Sequence, residues 1–133
     1  MITREADYAI RVCLHLARQQ RAGVARTGTA AMAKELEIPY RFLRKLVLRL
    51  VRLGLVASRR GKGGGVCLAR RPDALTVRDV LSAVAPESTT LNICLMDGCG
   101  CRRSRQCTIH RALATVQATL DRELGRLTFA RLA

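Results

Sequence analysis

Aromatic residues are scarce in this sequence: they make up 3% of its 133 residues, and tryptophan does not occur. Modules that bind RNA loops or single-stranded nucleic acid stack bases on aromatic side chains. Tyr8 and Phe42 both fall within apolar helical patterns. The composition therefore disfavours a base-stacking protein.

Long apolar runs are also missing, since no uninterrupted run approaches the roughly 18 residues of a membrane span. The chain begins MITREADYAI, so Glu5 and Asp7 lie where a signal peptide would carry only positive charge. Both features predict a cytoplasmic protein without a membrane partner. A chain of this length can bury a core without disulfides, so its cysteines are not needed as cross-links. In the reducing cytoplasm, grouped cysteines suggest metal binding or redox chemistry.

Acidic residues are few, with 10 Asp and Glu against 24 Lys and Arg, for a net charge of +14. Most of the excess lies in residues 1–85, which hold 17 basic and 6 acidic residues, whereas residues 86–133 hold 7 and 4. A strongly basic surface attracts the phosphates of nucleic acid. The first part of the chain is therefore predicted to bind DNA.

Apolar residues recur at three- and four-residue steps in the first 85 residues and predict several helices. The predicted helices are 3–20, 29–37 with Thr29 as N-cap, 39–54, and 76–85 with Thr76 as N-cap. The second and third are joined by a short link at Ile38, which is typical of a helix-turn-helix. The third would be the recognition helix, and its face opposite the apolar one carries Arg41, Arg44, Lys45, Arg49 and Arg52.

Two short β-like runs, 55–58 and 65–69, flank the segment RRGKGG. Its glycines would let a hairpin tip approach a phosphate backbone closely. This pattern predicts a wing, so that residues 1–85 form a winged-helix DNA-binding domain of mainly α class. The residues expected to contact DNA are Arg41, Arg44 and Lys45 on the recognition helix, and Arg59, Arg60 and Lys62 on the wing.

A long C-terminal helix is predicted over residues 109–133. It carries an apolar seam formed by Ile109, Leu113, Val116, Leu120, Leu124 and Leu127. The seam could pack on its own domain or on the same helix of a second chain, and we favour the second chain. A homodimer would present two recognition helices to the two half-sites of a palindromic double-stranded operator.

The cysteine-rich loop, residues 86–108, separates these two parts and contains most of the cysteines. The stretch NICLMDGCGCRRSRQCTIH holds Cys94, Cys99, Cys101 and Cys107, followed by His110. Thiolates suit iron-sulfur clusters, and the neighbouring arginines would lower the thiol pKa values. By contrast, Cys13 lies on an apolar helical stripe, and Cys67 lies among strand residues, so both are expected to be structural.

Several motifs resemble the Rrf2 family of bacterial winged-helix regulators. They are DYAIRVCLHLA (7–17), IPYRFLRKLVLRLVRLGLV (38–56), SRRGKGGGVCLAR (58–70) and LTVRDVLSAV (75–84), followed by the late cysteines. The resemblance implies a transcription regulator, expected to be a repressor, that senses redox state, nitric oxide, or iron and iron-sulfur status. In the iron-sulfur branch of the family, three loop cysteines bind a cluster, and the best match here is Cys94, Cys101 and Cys107. Cys99 is the alternative to Cys101.

The fourth ligand has two candidates. His110, in a C-x-x-H pattern after Cys107, matches members with a [2Fe-2S] cluster. Asp7 matches an aspartate that other members contribute from the partner subunit to a [4Fe-4S] cluster.

Two other hypotheses remain open at this point. The same DNA-binding dimer could hold zinc through cysteines and His110, or could respond through a thiol-disulfide switch without a cluster. The other hypothesis, from a different class of protein, is an electron-transfer protein with a basic docking surface for an acidic partner. An enzyme is the least supported class, because the sequence has no nucleotide-hydrolase glycine motif and no recognisable catalytic triad.

Overall fold

The computed structural model describes residues 2–133, which form six α-helices and a two-stranded antiparallel sheet. The helices are α1 (Arg4–Arg21), α2 (Thr29–Glu35), α3 (Tyr40–Arg52), α4 (Val77–Val84), α5 (Thr108–Arg126) and α6 (Phe129–Leu132). The strands are β1 (Val56–Arg59) and β2 (Gly65–Leu68), and 3-10 turns lie at Pro86–Thr89 and Ile93–Leu95. None of these helices is long and apolar enough to cross a membrane. The predicted mainly α winged helix is confirmed.

Side-chain caps fix the starts of the helices. The hydroxyl of Thr3 accepts a hydrogen bond from the backbone N–H of Ala6 at 3.2 Å and begins α1. Thr76 and Asp79 form a reciprocal capping box at the start of α4, as the sequence predicted for Thr76. The prediction for Thr29 was wrong by one residue, because Gly28 is the N-cap of α2.

The core is built around α1, which packs against α3, α4, α6 and β2. Cys13 is fully buried on the inner stripe of α1, which confirms its assignment to the core. Burial raises the pKa of its thiol to about 12, because an apolar environment disfavours the thiolate. From α3, the fully or almost fully buried Leu43, Leu46 and Leu50 complete the opposite side of the core.

The wing consists of β1, β2 and the intervening turn. Val56 pairs with Leu68 and Arg59 pairs with Gly65 in an antiparallel register. Thr27 adds a third partner, because it exchanges two backbone hydrogen bonds with Val66, of 2.9 and 2.8 Å. This bridge attaches the wing to the loop before α2, so the wing and the helix-turn-helix are held together.

The C-terminal helix is shorter than predicted. α5 ends at Arg126, and the chain then turns so that Phe129 in α6 is fully buried. The backbone N–H of Phe129 donates to the carbonyl of Leu75 at 3.0 Å. The range 109–133 is therefore two helices, and the second completes the core of the winged-helix unit predicted to end at residue 85.

Candidate functional site

The three predicted DNA-contacting cations of the recognition helix, Arg41, Arg44 and Lys45, are all exposed on α3. The link before α3 depends on Glu37, which adopts a left-handed conformation with φ of 54°. The guanidinium of Arg44 lies 5.8 Å from the ring centroid of Tyr40, one turn earlier on the same face. This cation–π contact restricts the conformations of the Arg44 side chain.

Arg49 has a different role from the other cations of α3. Its Nη1 lies 2.6 Å from Oε1 of Glu5 on α1, and its Nη2 donates to the carbonyl oxygen of Val84 at 2.7 Å. The helical pattern places Arg49 on the same polar face as the other cations, but it does not indicate these partners. Arg49 joins three helices, because its partners lie on α1 and at the end of α4.

A groove between α3 and the wing brings the two halves of the predicted interface together. Arg44 and Leu48 line it from α3, and Ser58, Arg59 and Arg60 line it from the wing. Lys62 is exposed at the wing tip. The six predicted DNA contacts, here called the basic face, are Arg41, Arg44, Lys45, Arg59, Arg60 and Lys62.

Two wing glycines are required by the fold of the wing itself. A Cβ atom at Gly64 would overlap the carbonyl oxygen of Arg59 and lie 2.8 Å from that of Gly61. At Gly65, where φ is 127°, it would lie 2.7 Å from the carbonyl oxygen of Thr27. The sequence pattern had suggested that the glycines serve phosphate approach. At these two positions the tight turn and the bridge to Thr27 already exclude a side chain.

The cysteine-rich loop places its thiols in unequal surroundings. Cys94 lies half-buried in the second 3-10 turn, whereas Cys99 and Cys101 are exposed. The Cys99 thiol lies 3.3 Å from the carbonyl oxygen of Cys94, to which it donates. Within residues 2–133, no three Cys, His, Asp or Glu side chains are close enough to hold one metal ion together.

Cys107 and His110 form the ordered end of the loop. Cys107 is the N-cap of α5, and its Sγ accepts a hydrogen bond from the backbone N–H of His110 at 3.4 Å. The sulfur atom therefore lies at the N-terminus of a helix, where the first backbone N–H groups have no partner within the helix. The Nδ1 atom of His110 is buried without a hydrogen-bond partner among the described residues. A cysteine sulfur and an imidazole nitrogen at the start of one helix are donor types that suit iron-sulfur clusters or zinc.

Asp7, the alternative fourth ligand, lies on α1. Its carboxylate is 3.0 Å from the guanidinium of Arg11, one turn later on the helix. No metal-binding group within the described chain includes it.

Gln117 of α5 anchors the start of the cysteine-rich loop. Its amide donates to the carbonyl of Thr89 and accepts from the N–H of Leu91, both at 2.8 Å. It also donates to Asp121 at 3.0 Å. No sequence pattern indicates this role, because a glutamine on the polar side of a helix is normally solvated.

His15 is a further residue whose surroundings the helical pattern does not indicate. A histidine on the polar side of a helix is normally solvated, but His15 of α1 is only 9% exposed. Its Nδ1 lies 3.5 Å from Oε2 of Glu35 at the end of α2, and its Nε2 is buried without a partner among residues 2–133. The hydrophobic period of one helix does not show where a second helix will cover its polar side.

A helix-turn-helix and a wing with cations on one shared face define a winged-helix DNA-binding protein. The family described as "Rrf2: Iron-dependent Transcriptional regulator" matches residues 2–133. The chain belongs to this family of transcriptional regulators, which are not enzymes. The resemblance inferred from the sequence motifs is thereby confirmed.

Relatives and solved structures agree with this assignment. IscR of Escherichia coli, an HTH-type transcriptional regulator, is 30% identical over 98% of this chain and 78% of its own length. The structure of CymR, the global cysteine regulator of B. subtilis, matches with a TM-score of 0.73 at 23% identity, covering 100% of this chain and 98% of its own. IscR of T. potens matches with a TM-score of 0.74 at 21% identity, covering 99% and 85%.

Proposed function

We propose that this regulator is a cytoplasmic homodimer that represses transcription and senses redox state, nitric oxide, or iron and iron-sulfur status through an iron-sulfur cluster. The observation that carries this proposal is the placement of Cys107 at the N-cap of α5, three residues before His110, whose Nδ1 is buried without a partner among the described residues. Cysteine sulfur is the soft donor by which proteins hold iron-sulfur clusters, and histidine nitrogen can replace it at some of the iron sites. Three exposed arginines of the loop, Arg102, Arg103 and Arg105, would offset the negative charge of the cluster.

The ligands in this proposal are Cys94, Cys101 and Cys107, with Cys99 as the alternative to Cys101. The fourth is His110 for a [2Fe-2S] cluster, or the partner subunit's Asp7 for a [4Fe-4S] cluster. When bound, the cluster would supply a group that is oxidised, nitrosylated or lost. The residues of this chain would hold it and connect its presence to α5, which Cys107 caps.

The DNA part of the proposal uses the basic face. Arg41, Arg44 and Lys45 would enter the major groove, and Arg59, Arg60 and Lys62 would reach the backbone or the minor groove. Two copies are needed for a palindromic operator. Their contact would be α5, on which Ile109 and Val116 are 63% and 54% exposed although both are large and apolar.

A thiol switch or a zinc site is the second candidate. The contact between the Cys99 thiol and the carbonyl oxygen of Cys94 favours it, because it brings two cysteines of the loop near each other without a cluster. A peroxide, which takes up two electrons and two protons and is reduced to water, would oxidise such a pair of thiols to a disulfide and change the loop with no metal involved.

Anaerobic purification separates these candidates. We expect a coloured protein with visible absorption, and iron and acid-labile sulfide in amounts that correspond to one cluster per subunit. Exposure to air or nitric oxide should bleach the colour and change DNA affinity together. A colourless protein with one zinc per chain would select the zinc site, and a metal-free protein with a reducible Cys94–Cys99 disulfide would select the switch.

A further inference from the structure

Leu48 is an apolar side chain in the middle of the basic face. It is 55% exposed on α3, and it lines both the groove toward the wing and the depression beside Arg41 and Lys45. Single exposed leucines are common on proteins. This one differs because cations surround it on the surface that is proposed to meet DNA.

The row that contains Leu48 explains why it stays uncovered. Tyr40, Arg44 and Leu48 follow each other at four-residue steps along one face of α3. The guanidinium of Arg44 lies against Tyr40, 5.8 Å from the ring centroid, and so extends away from Leu48. The side chain of Leu48 is therefore available to whatever enters the groove.

The major groove of DNA offers one prominent apolar group to such a side chain, the C5 methyl group of thymine. We propose that Leu48 packs on a thymine methyl and thereby determines part of the operator sequence. This inference rests on the proposed placement of α3 in the major groove. Cβ atoms one helical turn apart are separated by about 5–6 Å, and base pairs by about 3.4 Å. The thymine should therefore lie within about two steps of the base pair that faces Arg44.

The test removes only the methyl group. Duplexes are first selected from a random pool by the parent protein and are then recopied with deoxyuridine in place of thymidine, which leaves every hydrogen-bonding group unchanged. Burial of one methyl group changes binding by about fourfold, so the two half-sites together should give about a 15-fold loss for the parent. Single deoxyuridine substitutions should then locate one sensitive thymine per half-site.

Two variants complete the comparison. Leu48→Ala should bind the thymidine duplex more weakly and bind both duplexes with equal affinity, since it has no side chain to contact the methyl. Leu132→Ala, which shortens a leucine of similar nature on α6 that is 37% exposed, should retain the full 15-fold difference.

The outcomes separate this inference from the proposal beneath it. Equal binding of both duplexes by the parent would overturn the methyl contact and leave DNA binding intact. An equal deoxyuridine effect on the parent and Leu48→Ala would assign the methyl to another side chain and also overturn it. Sequence-specific binding that survives Leu48→Glu unchanged would remove α3 from the major groove altogether.

Discussion

Individual cysteines in this chain have different chemistry because their surroundings differ. Cys13 is enclosed by the core, Cys107 caps a helix, and Cys99 and Cys101 face solvent. Thiolate formation is required both for metal binding and for oxidation. The position of each thiol therefore predicts whether its replacement changes the iron and sulfide content of the protein.

Replacement of any one proposed ligand should prevent stable cluster binding. In Cys94→Ala, Cys101→Ala or Cys107→Ala, a thiolate bonded to iron is missing, so we expect less than about a tenth of the parent's iron and sulfide. Cys67→Ala is the matched control and should retain the full visible spectrum. Loss of colour in Cys99→Ala, with colour retained in Cys101→Ala, would transfer the ligand role to Cys99.

The fourth ligand is tested by comparing His110→Ala with Asp7→Ala under anaerobic conditions. Loss of the true ligand should change the cluster spectrum or accelerate bleaching in air, because a weaker exogenous ligand takes its place. Arg11→Ala removes the ion pair of Asp7 while leaving its carboxylate, and serves as its control. Parent-like behaviour of both ligand variants would exclude His110 and Asp7.

The raised pKa of Cys13 predicts a pH dependence of stability. The folded thiol ionises near pH 12, whereas the unfolded thiol ionises near its ordinary value of 9.0, so its contribution is complete below pH 9 and is lost as the pH rises toward 12. Cys13→Ala should be less stable by roughly 1–2 kcal/mol at pH 7, because it leaves a small cavity. Denaturant titrations should show that this gap narrows above pH 9. A constant gap up to pH 11.5 would contradict the buried, neutral thiol.

At the scale of elements, the wing depends on glycines that cannot be replaced. Gly64→Ala should displace the turn because its Cβ would overlap the Arg59 carbonyl, and we expect at least a tenfold loss of DNA affinity with the fold retained. Gly125→Ala is the control: it lies in α5, its Cβ would meet only Arg78 at 3.9 Å, and alanine favours a helix by roughly 1 kcal/mol. Circular dichroism and operator binding test both variants. Undiminished binding by Gly64→Ala would show that wing geometry does not matter.

Local signals predicted most elements well. The helices, the hairpin and the Thr76 cap follow from spacing and cap chemistry, which act within a few residues. The end of α5 was missed because Leu124 and Leu127 continue the apolar period while packing on the core of their own chain. The roles of Arg49 and Gln117 depend on partners about 26 to 44 residues away in sequence, which no local pattern contains. For the site, the sequence identified the cations of the basic face and the cysteines but not their relative positions.

At the scale of the whole molecule, the proposed dimer is tested best at an apolar side chain of α5 that is exposed in the single chain. Val116→Glu places a charge on a side chain that is 54% exposed in one chain, so it should not harm the monomer. If a partner helix covers Val116, the buried charge should dissociate the dimer. Ala118→Glu adds the same charge at an exposed position of α5 outside the apolar seam and should remain dimeric. Light scattering that finds Val116→Glu still dimeric would place the subunit contact elsewhere.

The basic face predicts a strong salt dependence of DNA binding. Each phosphate contact contributes about 0.9 to the slope of log affinity against log salt concentration, so Lys62→Ala should lower the slope of a dimer by about 2. Arg131→Ala removes a cation from α6, outside the basic face, and should leave the slope unchanged. If Lys62→Ala also keeps both slope and affinity, the wing tip does not reach the backbone.

Within the cysteine-rich loop, the part that carries the cysteines is attached to α5 at both ends. The backbone N–H of Leu91 donates to Gln117, and Cys107 is the N-cap of the helix. These attachment points are separated by ten residues of α5, or about 15 Å, whereas the fifteen residues 92–106 could extend to about 50 Å. These fifteen residues are therefore much longer than the distance that they span, so they would not be stretched when the loop closes around a bound group. In the proposed sensor, tension along the chain would therefore not carry the signal. A group bound in the loop would act on α5 by direct contact, at Cys107 or His110.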